Sequence, residues 1–250
     1  MPSEVRFHGL RGLPEVGVGA DLAALIREAV ITSDLTLQSK DLLVVAQKIV
    51  SKAEGRLVRL AEVTPSAEAR TLAIKVQKDP RFVELVLRES KEILRAVPHI
   101  LITRHRCGWV MANAGIDRSN ISQADDRVLL LPEDCDASAR RLREALEPEH
   151  PAIIISDSFG RPWREGTVNV ALGVAGYTGV LDLRGTKDRL GRTLQSTQIA
   201  LADAVAAGAG LVMGESTEGI PVTLVRGLDF SLPLSDGQSI VRPSGGDLFR

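Results

Sequence analysis

The feature that most constrains this chain is the alternation of short apolar runs with amphipathic helical patterns. The runs at residues 42–45 and 152–156 are rich in Leu, Val and Ile, which is typical of strands buried on both faces of a sheet. At residues 22–29 apolar side chains recur every three or four positions behind Asp21, a pattern that predicts a capped helix. Because both patterns are interleaved along the chain, we predict a mixed α/β (α+β) protein with helices flanking mixed sheets.

Similar patterns predict the other helices and strands. Helices are expected at residues 65–76, 81–96, 138–146 and 195–207, and strands at residues 100–103, 109–112 and 222–225. The connections do not form a regular strand–helix–strand series, so a doubly wound sheet is not predicted. Residues 1–234 are expected to form one domain, with two subdomains as an alternative. Residues 235–250, rich in Gly, Ser and Pro, are expected to form a loose tail.

Charge and composition exclude several classes of protein. The formal net charge is −1, so no overall positive field would attract nucleic acid or an anionic membrane. Aromatic residues make up 3% of the chain, which leaves few side chains for stacking on bases. The chain shows no signal-peptide pattern and no apolar run long enough to cross a bilayer. Cys107 and Cys135 lie outside any C-x-x-C pattern, as is typical of reduced thiols, and we expect a cytoplasmic protein.

Most standard catalytic motifs are absent. The sequence has no G-x-x-x-x-G-K-[ST] phosphate loop and no G-x-S-x-G nucleophile turn. Its four histidines show no metal-ligand spacing, so a zinc site is not predicted. Gly17-Val18-Gly19 begins like a dinucleotide-binding motif, but Leu22 stands where the third glycine is needed and no predicted strand precedes it.

Clusters of polar residues follow or flank several of the apolar segments. They lie at residues 12–15, 46–56, 112–120, 153–166 and 213–221. Taken singly, each cluster is more typical of an ordinary turn or of a solvated helix face.

Together, the clusters offer two kinds of functional group. Four side chains are hard oxygen ligands of the type that suits Mg²⁺ or Mn²⁺: Asp117, Asp157, Ser158 and Glu215. Three are cations suited to phosphate: Lys52, Arg161 and Arg164. Acids for metal ions beside cations for phosphates indicate a phosphoryl-transfer site without a phosphate loop.

Four motifs follow one another along the chain: VVAQKIVSKAEGR, NAGIDRSN, SDSFGRPWREG and MGESTEGIP. They resemble the motifs of the coenzyme F420 γ-glutamyl ligase family, and the similarity runs from about Gly12 to Leu228. The resemblance implies an enzyme that makes the glutamate tail of a deazaflavin redox coenzyme. GTP, L-glutamate and the tail-less coenzyme F420-0 are the implied substrates, with two divalent cations (Mg²⁺ or Mn²⁺) and K⁺ as a further candidate. An uncommon ligase-specific fold is also implied, in an intertwined homodimer with the active site in a groove near the subunit interface.

The functional residues of the family carry over to matching positions of this sequence. The implied cation ligands are Asp117, Asp157, Ser158 and Glu215. The implied nucleotide contacts are Leu13, Pro14, Glu15, Val16, Gln47, Lys48, Lys52, Asn120, Met213, Gly214, Glu215, Ser216, Thr217, Glu218, Gly219 and Ile220. The residues assigned to catalysis are Lys52, Asp157, Arg161 and Arg164. We place the two arginines on the substrate phosphodiester or on an acyl phosphate. Some members carry Ser-Thr in place of Gln47-Lys48, and Ser158 replaces a more usual Thr.

The implied reaction passes the γ-phosphoryl group of GTP to a carboxylate, and the glutamate amine then attacks the acyl phosphate to give GDP and phosphate. Repetition extends the coenzyme with γ-linked glutamates. A metal-dependent nucleotide phosphohydrolase and a non-enzymatic GTP-binding module are the alternatives. The sequence leaves open the number of glutamates, the exact acceptor side chain, the preferred cation and the general base for the amine. It also leaves open a second, nitroreductase-like flavin domain after Arg250.

Overall fold

The structure is a computed structural model that describes residues 3–117 and 126–246. The described strands are β1 (Arg6–Gly9), β2 (Leu42–Ala46), β3 (Leu57–Arg59), β4 (Ser90–Val97), β5 (Ile100–His105), β6 (Val110–Ala112), β7 (Arg127–Leu129), β8 (Ala152–Arg161), β9 (Arg164–Ala175), β10 (Val180–Asp182), β11 (Gln198–Ala200) and β12 (Val222–Arg226). The described α-helices are α1 (Leu22–Thr32), α2 (Gln47–Ala53), α3 (Ala67–Val76), α4 (Pro80–Arg88), α5 (Cys135–Ala145) and α6 (Leu201–Met213). The mixed α/β class is therefore confirmed. None of the helices in the described ranges has the length and apolarity needed to cross a membrane.

The largest described sheet has five strands in the order β1-β12-β2-β8-β9. β2 runs parallel to β8, with Leu42 opposite Ala152 and Ala46 opposite Ser156, and the other neighbours are antiparallel. The side chains of residues 42–45 and 153–155 are fully buried. This burial on both faces is what the continuous apolar runs of β2 and β8 predict.

Helices pack on both faces of this sheet, because successive side chains of a strand point to opposite sides. Leu43 and Val45 of β2 belong to an apolar cluster with the buried residues of α1 and α5. Leu42 and Val44 belong to a second cluster with α6. A third cluster lies between α3 and α4 and includes Leu101 of β5. The two faces of the sheet thus bury separate cores.

The helix predicted at residues 81–96 is wrong over its second half. α4 ends at Arg88, and β4 follows almost at once, paired antiparallel with β5. Glu89 lies at the break, where its carboxylate contacts Arg56 at 3.2 Å and Arg106 at 3.1 Å. The backbone N–H of Arg106 also donates to the carbonyl of Glu89. These contacts are distant in sequence, so they override a helical pattern that is only local.

The helix predicted at residues 195–207 lies further along the chain, as α6, because residues 198–200 pair with β10 as a strand. Gly208 and Gly210 weaken a helical pattern, yet both lie where α6 packs closely. A Cβ at Gly208 would lie 2.5 Å from the Phe7 ring, and one at Gly210 would lie 2.9 Å from the Asn169 side chain. The glycines therefore permit a close approach within a continuous helix.

The remaining predicted elements are present with shifted ends. α3 begins at Ala67 after the capping residue Ser66, rather than at residue 65. α5 begins at Cys135, and β6 begins at Val110. Such shifts arise because a helix begins where a side chain can satisfy its free N–H groups, and α5 has Asp134 for that purpose.

Part of the segment expected to be a loose tail contacts the rest of the chain. The Oγ of Ser235 accepts a hydrogen bond of 2.9 Å from the backbone N–H of Gly179. The backbone N–H of Gly237 donates to the buried carboxylate of Asp136 at 2.7 Å. Residues 235–237 are therefore held by specific hydrogen bonds. The division of the chain into domains stays a prediction.

Candidate functional site

Two neighbouring strands deliver the central residues of the site. β2 and β8 are parallel and Ala46 lies opposite Ser156, so the residues that follow them lie side by side. α2 begins at Gln47, directly after β2. The strand predicted to end at residue 156 instead continues to Arg161, because it pairs with β9 beyond the end of β2. Asp157 therefore lies within a long hairpin rather than at a strand tip.

An open cleft of about 390 Å³ lies beside these strands. It is lined by residues 13–16, residues 46–49 and Lys52 of β2 and α2, residues 156–158 of β8 and the loop at residues 213–221, together with Asn169 of β9. Every predicted nucleotide-contacting residue lies in this lining except Asn120, which falls outside the described residues. Segments that are far apart in sequence thus face a single cavity.

Acidic side chains lie close together at one side of the cleft. The pKa of Asp157 is raised to about 6, chiefly by burial and also by the negative charge of Asp117. Lys48, Gln47 and a backbone hydrogen bond from Ser158 act in the opposite direction. The Nζ of Lys48 lies 2.8 Å from the Oδ2 of Asp117. The two carboxylates therefore repel each other, and Lys48 offsets part of their charge.

Glu215, in the loop after α6, contacts the hairpin of β8 and β9. The Oγ of Ser158 donates a hydrogen bond of 2.8 Å to a carboxylate oxygen of Glu215. The loop that carries Glu215 begins at Gly214, which has a φ of 69° and whose Cα faces the Glu218 carboxylate so closely that a Cβ would lie 2.2 Å from it. The Glu218 carboxylate in turn accepts from the backbone N–H of Ser216 at 2.8 Å. This part of the loop therefore requires glycine at position 214.

Lys52 and Glu15 form an ion pair between α2 and the N-terminal segment of the cleft. The Lys52 side chain is only 12% exposed, whereas that of Glu15 is 83% exposed. An ion pair with one partner in water contributes little, because water and salt screen it. Glu15 is therefore a weak competitor for an anionic ligand at Lys52.

The structure does not bring Arg161 and Arg164 into the cleft lining. They lie opposite each other at the turn between β8 and β9. The Nε of Arg161 is buried without a hydrogen-bond partner among the described residues, and Arg164 is exposed. Trp163, at the same turn, is 81% exposed. Their proposed catalytic role stays a prediction.

The predicted cation ligands can be tested for chemical fit. Within residues 3–117 and 126–246, no group of three or more His, Cys, Asp or Glu side chains is placed to hold a metal ion. The predicted ligands instead lie as two pairs, Asp117 near Asp157 and Ser158 with Glu215. All are oxygen ligands, and a cation beside the first pair would remove the repulsion that raises the pKa of Asp157. Their chemistry therefore fits a hard divalent cation, and the ligand assignment stays a prediction.

Two polar residues of the lining, Ser156 and Asn169, are not among the site residues predicted from the sequence. Ser156 and Asn169 are both buried, and the Oγ of Ser156 has no hydrogen-bond partner among the described residues. The side-chain amide of Asn169 donates weakly to the sulfur of Met213, at 3.7 Å. A single polar residue within the apolar run Val168-Asn169-Val170 is the signal that marks Asn169 as a candidate.

Residues 11–227 match the family model described as F420-0:Gamma-glutamyl ligase. The chain is 43% identical to the coenzyme F420:L-glutamate ligase of Methanothermobacter thermautotrophicus over 247 residues, which cover 97% of each protein. It is 44% identical to the protein of the same name from Methanopyrus kandleri over 243 residues, 94% of each. The corresponding protein of Methanocaldococcus jannaschii is 40% identical over 217 residues, 86% of each.

Similarity over nearly the whole chain places this protein in the class of ligases. More particularly, the chain belongs to the F420-0:gamma-glutamyl ligase family, as its four motifs predict.

Proposed function

We propose that this protein is a GTP-dependent ligase that adds L-glutamate to coenzyme F420-0 and extends the product with γ-linked glutamates. The observation that carries the proposal is that residues 13–16, 46–49, 156–158 and 213–221, together with Lys52, line one cleft. These are the segments in which family resemblance predicts nucleotide and cation contacts. The names of the relatives support the same acceptor and the same amino acid.

In the proposed reaction, an oxygen of the acceptor carboxylate attacks the γ-phosphorus of GTP. The bond from that phosphorus to the β-phosphate oxygen breaks, and its electrons leave with GDP. The glutamate amine, after loss of a proton, attacks the acyl carbon; the bond from carbon to the phosphate oxygen breaks, and phosphate leaves. Loss of a second proton from the nitrogen gives the amide. Two divalent cations, when bound, would reduce the repulsion between the carboxylate and the triphosphate.

Residues of the cleft have separate roles in this proposal. Asp117, Asp157, Ser158 and Glu215 would hold the cations. Lys52 contacts the phosphates of GTP by exchanging its pairing with Glu15, and the exposure of Glu15 makes that exchange easy. Lys48 supplies positive charge beside Asp117. Positioning and charge stabilisation of this kind account for most of the acceleration in phosphoryl transfer.

Arg161 and Arg164 are assigned to the acceptor or to the acyl phosphate. Since they lie at the hairpin turn and outside the cleft lining, contact requires one of two arrangements. Either the acceptor extends from the cleft towards the turn, or the turn of one protomer reaches the cleft of its partner. We favour the second, because the homodimer that we propose has its active site near the subunit interface.

We place the enzyme in the cytoplasm.

The test is to incubate the full chain with GTP, Mn²⁺, L-glutamate and coenzyme F420-0 and to follow product mass and GDP release. Stepwise gain of glutamyl residues, with one GDP per addition, is the expected result. Omission of the acceptor should prevent GDP release, omission of glutamate should limit it to at most one GDP per active site, and replacement of GTP by ATP should reduce turnover. Release of phosphate without glutamate or acceptor would identify a phosphohydrolase instead. GTP binding without any turnover would identify a binding module.

A further inference from the structure

Two buried polar residues of α2 form a hydrogen bond beneath the cleft. The Oγ of Ser51 donates to the Oε1 of Gln47, four residues earlier, at 2.9 Å. Gln47 is 2% exposed and Ser51 is 0% exposed. A buried hydrogen bond of this kind holds the Gln47 side chain in one orientation, because either group alone would be left unsatisfied.

The other end of the Gln47 amide faces Asp157. Gln47 follows Ala46 of β2 and Asp157 follows Ser156 of β8, and these two residues lie opposite each other in the parallel pair, so Gln47 and Asp157 are neighbours that both line the cleft. Hydrogen bonding by the Gln47 side chain is one of the influences that lower the pKa of Asp157. An ionised carboxylate can only accept, so the Gln47 NH₂ group must be the donor. The Gln47 carbonyl then faces Ser51, which is the arrangement in which the Ser51 hydroxyl donates. The whole chain of donors runs in one direction, from Ser51 through Gln47 to Asp157.

We infer that Gln47 is a positioning residue, oriented by Ser51, which fixes the Asp157 carboxylate for cation binding in the cleft. The inference rests on the proposed function, in which Asp157 is a cation ligand. It changes the role of Gln47 from the predicted nucleotide contact to a residue that acts through Asp157. Residues that orient a metal ligand in this way commonly change metal affinity by 10–100-fold when they are replaced.

Two consecutive residues of α2, Gln47 and Lys48, each interact with a different carboxylate. Gln47 binds Asp157, and Lys48 lies 2.8 Å from Asp117. Both belong to the first turn of a helix that starts directly after β2, whose first four residues are fully buried. The first turn of α2 is therefore placed beside both carboxylates, and Ser51, which is fully buried, lies out of reach of a ligand.

The test uses the full-length chain and Mn²⁺, with free Mn²⁺ measured by electron paramagnetic resonance in the presence of a non-hydrolysable GTP analogue. We expect Ser51→Ala and Gln47→Met each to weaken Mn²⁺ binding about tenfold. The double variant should be no weaker than either single variant, because both act through one contact. The KM for glutamate should stay unchanged. Thr223→Val is the matched control, since it removes a buried hydroxyl from β12, away from the cleft lining.

The possible results distinguish failure of the positioning role from failure of the proposed function. Wild-type Mn²⁺ affinity in Ser51→Ala, in a protein that glutamylates normally, would overturn the positioning role alone. Additive losses in the double variant would also overturn it, because Ser51 would then act by another route. A lower unfolding temperature with unchanged Mn²⁺ affinity in both single variants would show a purely structural role. Failure of the wild-type chain to glutamylate, with the Mn²⁺ effects as expected, would overturn only the proposed function.

Discussion

Ser158 donates a hydrogen bond of 2.8 Å to Glu215, and this contact joins two segments that are 57 residues apart. Ser158 belongs to the hairpin of β8 and β9, and Glu215 belongs to the loop that follows α6. The two segments are not neighbours in sequence. They meet only because α6 packs against the sheet. The hydrogen bond joins two segments that both line the cleft.

Removal of the Ser158 hydroxyl should widen this side of the cleft. We expect Ser158→Ala to raise the KM for GTP about fivefold, which corresponds to the loss of about 1 kcal/mol of hydrogen bonding. Ser158→Thr keeps the hydroxyl and should retain most of the activity. Steady-state kinetics of the two variants, at saturating Mn²⁺ and glutamate, provide the comparison. Equal KM values for Ser158→Ala and wild type would contradict a role for the contact.

Asp157→Asn should abolish GTP-dependent glutamylation and leave the fold intact. The substitution removes the charge that a cation would bind but keeps the size of the side chain. Because burial disfavours the charged carboxylate and raises its pKa, loss of the charge should not lower the free energy of unfolding. Product mass and the unfolding transition of the variant test the two statements. Wild-type turnover would exclude Asp157 as a cation ligand.

Substitution of Lys52 should weaken GTP binding, whereas substitution of Glu15 should not. Lys52→Ala is expected to weaken GTP binding tenfold or more, since it removes a partly desolvated cation from the phosphate site. Glu15→Gln should leave GTP affinity unchanged or tighter, because it removes the competing carboxylate. Isothermal titration calorimetry at low ionic strength, where charge effects are largest, distinguishes these outcomes. Weaker binding in both variants would mean that the ion pair itself shapes the site.

Glu84 should make stability depend on pH below the neutral range. Hydrogen bonds from Ser66 and Arg88 lower the pKa of Glu84 from 4.5 to about 2. Because the pKa is lower in the folded state, the stabilisation is complete above pH 4.5 and is lost as the pH falls towards 2. Glu84→Gln should therefore lower the free energy of unfolding at pH 7 by about 1–3 kcal/mol and flatten its dependence between those pH values.

Urea unfolding of wild type and Glu84→Gln at several pH values measures this difference. Glu28→Gln, on the exposed face of α1, serves as a control for the loss of one carboxylate charge. An unchanged pH dependence in Glu84→Gln would show that another carboxylate controls acid stability.

Local sequence was sufficient to predict those strands and helices whose burial follows from their own side chains. The continuous apolar runs of β2 and β8 predicted strands buried on both faces, and Asp21 predicted the start of α1. The four motifs were sufficient to identify the family. Each motif is a short run of residues that can be identified without knowing how the chain folds between the motifs. The site residues themselves were named from that resemblance.

Tertiary structure decided what depends on a partner distant in sequence. β4 is a strand because β5 pairs with it and Arg56 and Arg106 hold Glu89 at its start, contacts that no local pattern contains. Likewise, Asp157 acquires its environment only when Gln47 is placed beside it by the parallel pairing of β2 and β8. The sequence by itself therefore determined which groups are present and which segments are buried. The fold determined which of those groups meet, because hydrogen bonds and charges act only over short distances in space.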